Sequence, residues 1–351
     1  MLIRRRVALA VAIAIALTLA LGRSHSLAQT PAAARPAIVF SEFIFTSAPF
    51  RHCHASTLVE LPGGTILAAW FAGEREGDPG VAIWGARRTA IGWTAPFQLA
   101  REPGLPSWNP VLFADGGGTI WLFYKYGSSQ HSWVGAYRTS RDGVKWSTAK
   151  RLPDGILGPA KNKPITLANG DILAGSSVES ILGWTSWVDL SSDHGRTWHK
   201  YGPISAGFFH YGVIQPALWE AAPGHVKMLM RSFHDLRRIC AASSDDGGRT
   251  WSAAKPTTLP NPDSGIDAVK MSDGTVALAY NNSATARTPL SVAFSRDDGN
   301  SWSAPLVLED QPGEYSYPAI IQTRDGLLHV TYSWKRQRIK HVIVDPRVLG
   351  Y

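Results

Sequence analysis

Six times along the chain an apolar run enters a short glycine-containing turn and a second apolar run follows. The copies are STLVELPGGTILAAWF (56–71), PVLFADGGGTIWLFY (110–124), PITLANGDILAGSS (164–177), PALWEAAPGHVKMLMR (216–231), AVKMSDGTVALAY (268–280) and PAIIQTRDGLLHVTY (318–332). Alternation with period two, β-branched residues and short turns predict antiparallel hairpins rather than helices.

Between these hairpins a second pattern recurs, Ser-x-Asp-x-Gly-x-x-Trp. It is complete at Ser191–Trp198, Ser244–Trp251 and Ser295–Trp302, and one residue short at Ser140–Trp146. A further copy ending at Trp93 keeps only the spacing and the tryptophan. The tryptophans at 93, 146, 198, 251 and 302 are 53, 52, 53 and 51 residues apart. The motif reads as a hairpin turn. Glycine supplies a positive φ, Ser and Asp bond the turn amides, and Trp packs the turn onto the sheet. Its aspartates are therefore read as structural.

A period of about 52 residues with three to four short strands per copy predicts β-propeller blades. The fold class expected is all-β, one six-bladed β-propeller over about 37–351. The sixth copy lacks a final strand, and the spare strand Ala37–Phe45 is placed to complete it and close the ring, removing the unpaired edges an open array would expose.

Composition narrows the class. Hydrophobic residues make up 44% and charged residues 18%, as in globular proteins, and 33 Gly with 23 Pro fit many tight turns. Residues 1–28 read as a secretory signal, with Arg4-Arg5-Arg6, an apolar stretch from Val7 to about Leu21, and a small-x-small end at Ser26-Leu27-Ala28. The expected location is periplasmic or secreted, with no membrane span once the signal is removed. The formal charge of +8 includes Arg4, Arg5, Arg6 and Arg23 of that leader, too mild a balance for nucleic acid. Cys53 and Cys240 fall on opposite sides of the ring and read as buried free thiols. No metal spacing, phosphate loop or dinucleotide fingerprint occurs, so no metal and no cofactor are expected.

In a propeller the innermost strand of each blade begins near the central cavity. Alignment on the turns places His54, Asn109, Lys163, Gln215, Asp267 and Tyr317 there, chemically diverse as an asymmetric polar ligand requires. With the Asp turns, these residues resemble the sialidase superfamily over nearly the whole chain beyond the leader. The resemblance implies three arginines gripping a substrate carboxylate, a tyrosine nucleophile activated by a glutamate, and an aspartate as acid/base. Residue by residue, it implies that Arg231 (VKMLMR) and Arg287 (RTPLSVAFS) bind the carboxylate and that Tyr317, eight residues before Asp325-Gly326, is the nucleophile. Asp78 in EREGDPG lies in the region of the acid/base. The chain departs from the family at three places: the first arginine falls at His54, the tyrosine-activating glutamate at Gln215, and the glutamate supporting the first arginine at Ser333.

Arg231, Arg287 and Lys163 suit an acidic oligosaccharide or glycoconjugate, since guanidinium and carboxylate pair in a fork. Asn109 and Asp267 would line the pocket. A phenol with an ordinary pKa of about 10 needs a base, and Gln215 is not one; Glu179, Glu314 and Asp267 are the acidic residues that would substitute. Three functions follow. Sialidase-like hydrolysis at a terminal acidic sugar is the superfamily default. β-Elimination at a uronate would use His54 and Tyr317 for the proton and the arginines for the carboxylate. A non-catalytic glycan-binding propeller is the third. The expected state is monomeric.

Overall fold

The computed structural model describes residues 36–180, 183–207, 212–233 and 236–351; the signal read at 1–28 lies outside them. Pro36–Tyr351 is one compact unit. Its strands form six antiparallel sheets in chain order. The innermost strands are His52–Glu60, Ser107–Ala114, Ile165–Thr166, Val213–Ala222, Asp267–Lys270 and Tyr315–Gln322. Each is followed outward by its hairpin partner, a third strand and an edge strand, the first sheet having two short edge segments, Gly92–Trp93 and Phe97–Ala100.

The sixth sheet is closed from the other end of the chain. Its order ends with Ile38–Phe43 on the outer side of Arg338–Val344, with Ser41 opposite Val342 and Phe43 opposite Lys340. Glu42 fastens this closure. Its Oε1 accepts from Arg88 Nε and Trp93 Nε1, each at 2.9 Å, and lies 3.2 Å from His341 Nδ1. One carboxylate on the closing strand thus joins the sixth blade to the first.

The core is divided among the seams between adjacent blades. Leu67 and Ile83 of blade 1 meet Leu112 and Leu122 of blade 2. Phe123 of blade 2 meets Ala174 and Trp198 of blade 3. Equivalent clusters fill the remaining four seams, and the last joins Ile321 and Ile339 to Leu58 and Trp70. A blade pressed on both faces needs apolar residues at both parities. The inner strands are therefore buried almost continuously, and alternation survives on a third strand such as Arg238–Ser244.

The Asp turns join third to fourth strands as the motif requires. At the third blade Ser191 Oγ donates to Asp193 Oδ1 (2.9 Å) and accepts from Gly195 N (2.8 Å), while Asp193 Oδ1 accepts from Thr197 N (2.8 Å). The same bonds recur around Asp246 and Asp297. Donation from the Thr197 hydroxyl and amide holds the Asp193 carboxyl down at about 2. Each turn glycine also faces the preceding blade: Gly143 faces Leu61, Gly195 Trp121, Gly248 Leu173 and Gly299 Trp219. Glycine is needed here for left-handed φ and for this approach together.

Candidate active site

Four innermost strands carry a bulge at the axis, where the ladder slips between His54 and Thr57, Trp108 and Val111, Ile214 and Ala217, and Ser316 and Ala319. The residues that take left-handed backbone there are Ala55, Asn109, Gln215 and Tyr317. Bulges re-aim side chains, and they gather beside functional sites. The sequence alignment put His54 in the series; the structure puts Ala55 there and His54 one residue upstream. Counted back from the hairpin pairs Glu60–Ile66, Ala114–Ile120 and Gln322–Leu328, it is Ala55 that stands level with Asn109 and Tyr317, and the bulge, shared by these strands, keeps the copies in step.

His54 nevertheless reaches the axis. Its ring lies against Tyr317 with centroids 4.2 Å apart, and its Nδ1 is 2.8 Å from Ser333 Oγ. Burial, then the charges of Arg336, Arg287, Arg231 and Lys161, hold it well below the ordinary imidazole range. Neutral His54 keeps its Nε2 buried and without a partner among the described residues.

Tyr317 is the centre of the cluster and is partly exposed. Arg231 Nη1 donates to its hydroxyl oxygen at 2.6 Å, and Gln215 Nε2 donates at 3.3 Å. The orientation of the amide follows from chemistry. Arg231 can only donate, so Gln215 Oε1 faces it at 3.4 Å and leaves the NH2 for the tyrosine. Two donors aimed at one phenolic oxygen leave that oxygen an acceptor, as a nucleophile or base must be.

Arg231 is buried and anchored on Asp263, with Nε at 2.8 Å and Nη2 at 2.7 Å from the same Oδ1. Burial opposes its charge, but Tyr317 and Asp263 outweigh burial and raise its pKa. Arg287 lies 5.8 Å from the Tyr317 ring centroid and bonds Glu314 Oε1 (2.8 Å) and Asp263 O (3.0 Å). Burial would raise the Glu314 pKa; Arg336 and Arg287 hold it below the usual carboxylate range.

The other sequence candidates have different surroundings. Lys163 does not stand with the two arginines: its ammonium pairs with buried Asp267 at 2.9 Å and donates to Ala268 O at 2.8 Å. Asp267 also accepts from Ile320 N at 2.9 Å. Together these two residues tie the third, fifth and sixth blades, and a buried charge is satisfied by its partner before any ligand arrives. Asn109 is buried and donates to Ala160 O of the next segment. Asp78 pairs with Arg75 inside its own loop at 3.3 Å. Of the acidic residues that would replace the glutamate, Glu179 is raised by burial, which Arg231 opposes, and Glu314 serves the arginines.

Sequence reasoning missed two cations. Lys161 is buried 6.0 Å from the Tyr317 ring centroid and donates to Asn162 Oδ1 (2.9 Å), Ile266 O (3.0 Å) and Pro318 O. Burial brings it down to about 7. Its three N–H groups are met by three acceptors of the protein, so it forms the floor of the cluster. Arg336, in the hairpin after Trp334, bonds Glu314 Oε1 at 2.9 Å and Glu76 Oε2. A charged residue in a short hairpin looks like ordinary solvated surface, so nothing in the pattern distinguishes Arg336. Among the described residues no group of three His, Cys, Asp or Glu side chains is placed to hold a metal, and no helix is long and apolar enough to cross a membrane.

Comparison with known proteins agrees with this architecture. The profile of a BNR repeat-like domain family matches residues 64–330. A sialidase of Micromonospora viridifaciens is 28% identical over 155 residues, 40% of this chain and 22% of that protein, so the match spans about a fifth of the relative's length. A Dyadobacter fermentans protein of unknown function superposes with a TM-score of 0.76 at 19% identity, covering 89% of this chain and 100% of that one. The NanB sialidase of Streptococcus pneumoniae superposes with a TM-score of 0.72 at 14% identity, covering 89% and 71%. At such identities the likeness to the solved structures is one of fold.

Proposed function

Starting from a chain that belongs to the BNR repeat-like domain family, we propose that it is an exported, monomeric enzyme cleaving the glycosidic bond of a terminal acidic sugar on an oligosaccharide or glycoconjugate, by sialidase-like hydrolysis. The observation carrying this reading is the phenolic oxygen of Tyr317 with the donors of Arg231 and Gln215 aimed at it and Arg287 beside the ring. In this reading the sugar carboxylate meets the two guanidiniums. The phenolate attacks the anomeric carbon, the bond to the leaving oxygen breaks, and that oxygen takes a proton from Asp78. Water deprotonated by Asp78 then splits the tyrosyl–sugar bond and regenerates the phenolate. The phenolic proton passes to solvent water before attack, and Arg231, which can only donate, stabilises the phenolate left behind. The test is release of the aglycone from a chromogenic sialoside by wild type and Tyr317→Phe. A loss of at least about 1,000-fold in kcat with sugar binding retained is expected; full activity of the variant overturns the reading.

A second reading is favoured by one observation: Gln215 donates to Tyr317 and accepts no proton, while neutral His54 lies against the same ring. β-Elimination suits that pair. One of Tyr317 and His54 takes the proton α to a uronate carboxylate, the bond to the departing oxygen breaks as a carbon–carbon double bond forms, and the other residue gives that oxygen its proton. Mass spectrometry of the products separates the two, because hydrolysis adds one water and elimination adds none and leaves a conjugated chromophore.

A further inference from the structure

Arg287 and Arg336 come from different parts of the fifth and sixth blades and meet on one atom, Glu314 Oε1, at 2.8 and 2.9 Å. Two guanidiniums sharing one carboxylate oxygen stand side by side, and Arg287 is already against Tyr317. Arg336 is also the foremost of the charges depressing His54, and it lines a small cavity with His54, Phe71 and Glu76. It therefore stands beside His54, at the edge of the Tyr317–His54 stack, with its side chain 31% exposed. Of its donors, Nε serves Glu314 and Nη1 serves Glu76, and among the described residues Nη2 serves neither.

The two anchors of Arg336 are unequal. Glu314 also bonds Arg287 and the Ser316 hydroxyl at 2.9 Å, so it is fixed by three groups. Glu76 lies in the loop between Gly73 and Val81 with its side chain 38% exposed, and an ion pair that open to water contributes little. Ser333, whose hydroxyl holds His54 Nδ1, is three residues from Arg336 in the same hairpin. One short hairpin thus fixes the neutral imidazole and delivers a cation beside it.

Resting on the acidic-sugar reading above, we propose that Arg336 is a substrate-binding residue that grips the sugar carboxylate together with Arg287, and that Glu76 occupies Arg336 until the carboxylate displaces it. Binding of the acid then releases the 74–80 loop, which carries Asp78, from its ion pair to the sixth blade.

The experiment is calorimetric binding of methyl α-glycosides of N-acetylneuraminic acid and of glucuronic acid, each as the free acid and as the methyl ester. Arg336→Gln is expected to weaken binding of the acid at least tenfold and to leave the ester unchanged. Glu76→Gln keeps Arg336 intact and is expected to tighten the acid several-fold; the double variant should behave as Arg336→Gln alone. Arg338→Gln removes the same charge from a guanidinium lying over Phe43 and should bind as wild type. If Arg336→Gln binds the acid as wild type while Arg287→Gln does not, or if Glu76→Gln fails to tighten it, the role of Arg336 is refuted and the acidic-sugar reading stands. If wild type does not prefer either acid over its ester, that reading itself fails.

Discussion

Asp267 is the residue whose part the sequence and the structure describe most differently, and its replacement by asparagine separates the two descriptions. Its Oδ2 accepts from Lys163 Nζ and Ile320 N, each at 2.9 Å, and its Oδ1 accepts from Ala268 N at 2.9 Å. Asp267→Asn preserves volume and removes the charge, leaving the Lys163 ammonium, 18% exposed, with Ala268 O as its remaining acceptor. Removing one partner of a fully buried pair costs about 3–5 kcal/mol; the residual exposure of Lys163 reduces that to about 2–3 kcal/mol. Unfolding entropy for a chain of this size is roughly 0.6–0.7 kcal/mol per degree, so Tm should fall by about 3–5 °C. Scanning calorimetry reads the shift, and turnover is measured in parallel well below the transition. Adding Lys163→Met should recover at least about half of the loss, because the orphaned charge leaves with its side chain. A Tm within about 1 °C of wild type, or turnover lost at unchanged Tm, refutes the structural role and makes Asp267 a ligand group.

Two further predictions concern the scaffold. Gly195→Ala would put a methyl within 2.8 Å of Trp121 Cζ2 at φ +81, so a loss of about 2–4 kcal/mol is expected in urea unfolding. Gly170→Ala, at φ +91 with open space around it, should lose only about 1 kcal/mol; equal losses would refute the inter-blade contact. Acid should weaken the closure of the ring. Burial, then neighbouring His341, lowers His329 from 6.5 to about 4. Above pH 6.5 the imidazole is neutral folded or unfolded; as pH falls toward 4 only the unfolded chain takes the proton, and stability drops by about 2 kcal/mol near pH 5. Glu42, held at about 2 against burial by His341 and Arg88, adds a further loss below 4.5. A urea midpoint that does not fall between neutral pH and about pH 5, or a slope unchanged by His329→Gln, would contradict this assignment.

The ring was legible because its determinants are local and repeated. The tryptophan spacing and the Ser-Asp-Gly turns each encode one hairpin, and six hairpin copies with a spare strand leave little choice of architecture. The closing strand was legible for the same reason, as Ile38–Phe43 is the outer strand the sixth copy lacks. Of the axis residues, Tyr317 and Gln215 meet because they hold the same bulged position of two innermost strands, while Arg231 and Arg287, the latter in the loop between Val276–Asn281 and Leu290–Ser295, were legible through the family resemblance. What could not be read was which polar groups are already satisfied by the protein. Lys163 and Asp267 look like site residues in sequence, and only coordinates show that they bond each other across the ring. Lys161 and Arg336 lie in irregular segments where no period constrains the side chain. His54 stands one place from the repeated position, which Ala55 holds, and it reaches Tyr317 from that neighbouring place.

The closing strand has a consequence for how the molecule is made. Residues 38–43 emerge from the ribosome long before their partners at 338–344, so the ring stays open until all six blades have been synthesised. Bringing those ends together closes the longest loop the chain contains, a slow and non-local step that folding must reach with five blades already stacked. Until the closing strand docks, Arg338–Val344 presents a bare edge to every other nascent copy, and that interval is the one of greatest exposure to misassembly.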